Sequence, residues 1–192
     1  MLTPNPPVIE FLQKRRSRPA KTLTTPVPNR AELGSLLTMA ARTPDHGKLE
    51  PWRFIVLGKA RLTQLADLVD HRAQALGLDA DKTQKGKNQF QSGHLGVVVV
   101  EVQKPSEKIP AVEQTYSAGA VCLSLVNAAL ASGWGANWLS GWPNHDRGFV
   151  EQAFDLADNE RVAGIIYLGT ETNTPPERPR PNIESITTWQ LD

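Results

Sequence analysis

Ala41-Arg42-Thr43-Pro44-Asp45-His46-Gly47-Lys48-Leu49-Glu50-Pro51-Trp52-Arg53-Phe54-Ile55-Val56 joins a helix to a strand and carries far more chemistry than a connection needs. Upstream, Leu33, Leu36, Leu37, Ala40 and Ala41 repeat at helical spacing behind Asn29, with Glu32 where a capping box requires it. Downstream, Trp52, Phe54 and Val56 alternate with Arg53, Ile55 and Leu57, a strand that Gly58 stops. Pro44 and Pro51 fix the backbone and bias the residues before them away from helix, so the helix ends near Thr43. A stiff, charged loop held between two regular elements is a good place for a ligand site.

Working outward toward the N-terminus, Val8, Ile9, Phe11 and Leu12 line one face of a helix that Pro6-Pro7 begins. Lys14, Arg15, Arg16 and Arg18 crowd its end. They read either as a solvated cap on the helix dipole or as a phosphate clamp of guanidinium forks. Residues 19–28 form a proline- and threonine-rich connection.

Toward the C-terminus, Leu62, Leu65, Ala66, Val69, Ala73 and Leu76 predict an amphipathic helix ending near Gly77. Residues 79–94 are polar with little periodicity and read as a mobile surface excursion. Leu95 to Val102, rich in valine, reads as a strand buried on both faces. Residues 111–132 predict a helix with almost no polar face. A helix apolar all round is buried all round, and a chain of this size has little room for one, so it is expected at a subunit interface. Gly133 suits its C-terminal cap. Trp134 to Leu139 follows as a strand, then a turn at Gly141-Trp142-Pro143. A short helix comes next, capped by Asn144 or Asp146 and carrying Phe149, Val150, Ala153 and Phe154. Val162 to Leu168 reads as a strand, Thr172 to Pro181 as a helix-free proline-rich stretch, and Ile186 to Trp189 as a final short strand.

The 192 residues suit a single domain, residues 1–192. With 21 basic and 20 acidic side chains the net charge is +1, against a dedicated binder of nucleic acid or of a membrane surface. No apolar run is long enough to span a bilayer, and the Met1-Leu2-Thr3-Pro4-Asn5-Pro6-Pro7 start does not read as a signal peptide. A lone cysteine, Cys122, fits a reducing cytoplasm. It lies in an apolar helix without electropositive neighbours and reads as a core residue. The four histidines, His46, His71, His94 and His145, are widely separated and show no metal-ligand spacing. Nucleophile elbow, Walker loop and Gly-x-Gly-x-x-Gly are all absent. What survives is anion recognition by arginines, a stiff Pro-Asp-His loop and a Trp-x-Ser segment, which suits a bound cofactor better than side-chain chemistry.

Four stretches, in order, carry a resemblance. Arg42-Thr43-Pro44-Asp45-His46 with Glu50-Pro51-Trp52 resembles the loop of the nitroreductase family of flavin enzymes, in the form found in its short branch. Arg15-Arg16-Ser17 resembles that family's N-terminal motif, Gly133-Trp134-Gly135-Ala136-Asn137-Trp138-Leu139-Ser140-Gly141 its glycine- and tryptophan-bearing segment, and Ile166-Tyr167-Leu168-Gly169-Thr170 its last core strand. The resemblance runs from about Val8 to about Trp189.

It implies an α+β fold: a mostly antiparallel sheet of four or five strands flanked by helices, in an intertwined homodimer with composite sites. It implies flavin mononucleotide (FMN) as cofactor and NAD(P)H as electron donor. Hydride would pass to flavin N5 and on, in ping-pong fashion, to a small electron-poor acceptor such as a nitroaromatic or quinone. No catalytic side chain and no metal is required. Arg15, Arg16 and Ser17 would hold the phosphate with Arg178 and Arg180. Arg42 and His46 would reach in from the partner, and Trp138, Leu139 and Ser140 would lie by the flavin. The nicotinamide nucleotide would enter near Ala128 to Gly133. Two departures stand out. Pro19 occupies the place of a lysine that relatives set near flavin N1, leaving Arg18 or Arg42 to substitute; and Leu139 stands where some short relatives have arginine. The alternative function is a flavin-binding storage or sensor dimer without turnover.

Overall fold

The computed structural model describes residues 2–191. Five antiparallel strands form the sheet: β1 (Leu23–Thr24), β2 (Trp52–Gly58), β3 (Leu95–Val102), β4 (Gly135–Leu139) and β5 (Glu160–Glu171). Their order is β1-β5-β3-β2, with β4 also paired to β5. The register sets Phe54 opposite Val99, Val98 opposite Ile165 and Trp138 opposite Ile166. Ala163 is left over where the β3–β5 register shifts.

Because side chains alternate along a strand, the sheet feeds two cores. Val97, Val99, Ile166 and Leu168 pack with Leu33, Leu36 and Ala40 of α2 (Arg30–Ala40) and with Val121, Leu125 and Ala129 of α5 (Ala111–Ala131). Val98, Val100, Ile165 and Tyr167 face the other way. They meet Leu62, Leu65 and Val69 of α3 (Lys59–Ala75), Phe90 of α4 (Ala80–Gln91), and Phe149 and Phe154 of α6 (Arg147–Phe154). The strand predicted at 95–102 is thus buried on both faces.

Caps fall where oxygen-bearing side chains permit. Asn29 accepts from Ala31 N and Glu32 N while Glu32 returns a bond to Asn29 N, the capping box expected for α2. Asp146, one of the two residues anticipated, caps α6 through Phe149 N at 2.8 Å.

Three readings need correction. Residues 79–94 are not a mobile excursion: Asp79 caps α4, and Gly86, Gln89 and Phe90 form its buried face. Periodicity was hidden because a glycine and a glutamine fill two inward positions. Ile186 to Trp189 is not a strand. Asn182 caps a single turn, α7 (Ile183–Ile186), and Trp189 Nε1 donates to Glu184 Oε2 at 3.2 Å. The connection at 19–28 contains β1, too short for a pattern to reveal.

In the single chain, α5 is not covered all round: Val112, Tyr116 and Leu123 stay exposed along one stripe. The first helix, α1 (Pro6–Lys14), buries no residue, and Val8, Ile9 and Leu12 are exposed. No helix among the described residues is long and apolar enough to cross a membrane.

Candidate functional site

After α1 the backbone turns extended at Arg15 and runs beside β4, Arg18 N donating to Ala136 O at 2.7 Å. The proline-rich tail returns over it: Thr172 N donates to Thr22 O, and Arg16 to the carbonyl of Pro176. Residues 160 positions apart thereby meet in a hollow of about 290 Å³ lined by Arg15, Arg16, Ser17, Arg178 and Arg180. Every residue predicted for a phosphate cradle is in that one place.

Its electrostatics are unbalanced. Burial, and then the like charges of Arg180, Arg16 and Arg18, hold the Arg15 pKa below the usual guanidinium value. Arg15 Nε is buried without a hydrogen-bond partner, and Arg15 Nη2 lies 3.4 Å from Ser17 Oγ. The counter-charge is slight. Glu177 sits 2.9 Å from Arg180 and 3.5 Å from Arg16, while Glu171 is taken by Arg18 at 2.8 Å. The excess of like charge around Arg15 is what an anion in the hollow would offset.

A second cavity, about 540 Å³, lies between residues 19–21, α4 and the end of β4. Leu139 and Ser140 line it, joined by Asn137, Lys21, Lys85 and Trp142, none of which was anticipated. Two glycines let helix and loop close in. A methyl at Gly86 would lie 2.6 Å from Trp142 Nε1, and one at Gly141 2.3 Å from Gln89 Oε1. The docking is tied by Trp142 Nε1 to Lys82 O at 3.0 Å and Gln89 Nε2 to Asn144 Oδ1 at 2.7 Å. Ser140 Oγ lies 2.9 Å from His145 Nε2 at the rim. Trp138, although adjacent in sequence, does not line this cavity. Strand alternation turns it to the opposite face, over Gly164 and toward Gly119 of α5.

A third hollow, about 460 Å³, lies between α1 and the end of α5 and includes Leu130, Gly133, Arg15 and Arg18. Ala128 and Ala129, within the stretch expected to meet the nicotinamide nucleotide, are buried instead.

Arg42 and His46 are elsewhere in the same chain. The loop lies along α5: His46 Nδ1 meets Glu113 Oε2 at 2.6 Å, Ser117 Oγ donates to Pro44 O, and Thr43 Oγ1 meets Ser124 Oγ. Glu113 and Leu130 are roughly 25 Å apart along the helix at 1.5 Å per residue. His46 and the cradle are therefore not brought together within one chain. The loop is built tightly. Lys48 and Glu50 hold left-handed backbone at φ 55 and 48, Asp45 Oδ2 accepts from Glu50 N at 2.6 Å, and Gly47, itself left-handed at φ 76, passes so close to Ile109 Cδ1 that a side chain there would have to displace it. Non-glycine residues in that region cost about 1–3 kcal/mol each and gather at functional segments.

Cys122 is buried in α5, where burial pushes its thiol up to about 12, so it is a packing residue. Among the described residues no group of three or more His, Cys, Asp or Glu is placed to hold a metal.

Comparison with known proteins bears on this geometry. The model of the family described as "Nitroreductase family" matches residues 12–170. A protein of Escherichia coli (strain K12) named "Putative NAD(P)H nitroreductase YdjA" is 32% identical over 162 residues, covering 84% of this chain and 87% of its own. Among solved structures, the nitroreductase-like family protein from Bacillus cereus matches with a TM-score of 0.80 at 21% identity, over 100% of both chains. The FMN and NADPH-dependent nitroreductase NfnB from Sphigopyxis sp. strain HMH matches at 0.72 and 17% identity, over 95% of this chain and 98% of that one. At these identities the solved structures speak for the fold, which they share with the α+β arrangement described above.

Proposed function

Because the chain belongs to the nitroreductase family, we propose that it is an FMN-dependent oxidoreductase, taking electrons from NAD(P)H and delivering them to a small electron-poor acceptor of the nitroaromatic or quinone type. The observation that carries this reading is the cradle: arginines from both ends of the chain converge on one hollow, and Arg15 keeps a buried, unpartnered donor there. A phosphate monoester dianion answers that excess of charge, and guanidinium forks match its oxygens. Arg15, Arg16, Ser17, Arg178 and Arg180 would hold it.

The 540 Å³ cavity, whose wall at residues 19–21 follows Arg15 to Ser17 in the chain, would take the flat ring system. Its walls mix the apolar faces of Ala20, Leu139 and Trp142 with the polar edges of Asn137 and Ser140. Bound FMN would supply the redox chemistry, accepting hydride from the nicotinamide and giving up electrons to the acceptor. This chain's residues would bind and orient it. Leu139 and Trp142 would limit water on one side, and the Ser140–His145 pair would keep the rim polar and open to solvent protons. A donor and an acceptor sharing one slot would bind in turn, giving ping-pong kinetics. Arg42 and His46, seated away from their own chain's cradle, would complete the site of a second copy in a homodimer paired through α1 and the open stripe of α5. Trp138 would then face that interface rather than the ring. A reducing cytoplasm fits the single buried thiol.

The test is the visible spectrum of the purified protein, then anaerobic addition of NADPH or NADH. A flavin spectrum that bleaches supports the proposal. A yellow protein that oxidises neither nucleotide favours a storage or sensor role. A colourless protein that takes up no added FMN overturns both.

A further inference from the structure

The 540 Å³ cavity that the reading above gives to the ring and its substrates holds little that can exchange a proton. Among the described residues lining it, the titratable side chains are Lys21 and Lys85 and the hydroxyls are Ser92 and Ser140. An ammonium side chain gives up a proton poorly at neutral pH, whereas an imidazole exchanges one readily. Ser140 joins the cavity to an imidazole: its Oγ lies 2.9 Å from His145 Nε2, and His145 is exposed to solvent.

Both members of this pair are held from behind. Ser140 directly follows Leu139, which pairs with Ile165 at the end of β4. His145 closes the tight turn Trp142–His145. That turn is tied to α4 by Trp142 Nε1 to Lys82 O and by Gln89 Nε2 to the buried Asn144. The next residue, Asp146, is clamped by Arg72 of α3 while it caps α6. A hydroxyl at the wall of the slot, an imidazole behind it and water beyond make a path for a proton from solvent to a bound acceptor.

We propose that Ser140 and His145 form a proton relay to the acceptor. This rests on the FMN reading above. A quinone that has gained a hydride, supplied from NAD(P)H through the cofactor, is a hydroquinone anion. Its oxygen takes the Ser140 hydroxyl proton, Ser140 Oγ takes the Nε2 proton of the His145 imidazolium, and water at the surface returns a proton to His145. The hydride brings both electrons and one proton, the relay brings the second proton, and neutral hydroquinone leaves. Ser140, which touches the acceptor, is the catalytic residue. His145 acts through it as a positioning residue. His46, which the reading above brings in from a second copy, is the rival donor.

The two half-reactions separate the relay from the FMN site, because only the second needs a proton from the protein. FMN-loaded wild type, His145→Gln, His145→Ala, Ser140→Ala and His46→Gln would be bleached by NADPH or NADH in anaerobic stopped flow, then mixed with 2-methyl-1,4-naphthoquinone. The His145 and Ser140 variants should lose reoxidation about a hundredfold relative to bleaching, as for a lost general acid. Imidazole in the buffer should restore His145→Ala. Without turnover, 4-hydroxybenzaldehyde, a phenol that oxidised flavin leaves intact, should shift the His145 ring resonances of FMN-loaded wild type in NMR and not those of Ser140→Ala. Variants whose two rates fall together, or do not fall, would overturn the relay and leave the FMN reading standing. So would a selective loss confined to His46→Gln, or ring resonances that ignore the phenol. Wild-type protein that takes up no FMN would remove both readings.

Discussion

At Arg15 the chain keeps a charge where burial and three like-charged neighbours oppose it. Such a group is poorly placed among its own neighbours and well placed for an anion. Arg15→Ala with Ser17→Ala should weaken FMN binding to the apoprotein by roughly ten- to a hundred-fold for each charge-assisted bond lost, at about 1.5–3 kcal/mol apiece. Fluorescence titration of FMN would measure it, and unaltered affinity would move the phosphate elsewhere. The carboxylates carry a different consequence. A hydrogen bond from Arg72 holds the Asp146 pKa below its ordinary value, and one from Arg53 does the same for Glu160. At Glu101 burial pushes upward, but bonds from Arg161, Thr115 and Gln103 outweigh it. Folded values below unfolded ones mean stability that is full above the unfolded range of about 4 and is lost as pH falls through the folded values. The urea midpoint should therefore be nearly flat from pH 6 to 8 and fall steeply below about pH 4. At this scale the sequence was legible only in part. Arg15 and Arg178 lie too far apart in the chain for spacing to join them, and it was the resemblance that did so. Lys85 carried no local signal at all.

Among the elements, α4 separates what pattern can reveal from what it cannot. The helices α2, α3 and α5 and the strand β3 announce themselves because leucine, valine and alanine mark their inward positions. The inward positions of α4 are Gly86, Gln89 and Phe90: a glycine chosen for close approach to Trp142, a glutamine chosen to bond Asn144, and one apolar ring. Its contribution is tertiary. Phe90→Ala should cost about 3–5 kcal/mol, the range for a buried aromatic truncated to alanine. A loosely attached surface helix would lose no more than about 0.5. Urea denaturation distinguishes the two, and the larger value is expected.

For the whole molecule, the apolar surface of α1 and the stripe Val112, Tyr116 and Leu123 on α5 remain uncovered in one chain. The proposed pairing would cover both. Leu123→Glu should yield monomers in sedimentation and release FMN on dilution at concentrations where wild type retains it; an FMN-tight monomer would contradict the shared site. The seating of His46 against Glu113, roughly 25 Å along α5 from Leu130, carries a genetic corollary. Two crippled versions of the chain, one lacking Arg15 and Ser17 and the other lacking Arg42 and His46, would be inert alone. Co-expressed, they would rescue each other, since every mixed pair would inherit one sound pocket alongside one broken twice over.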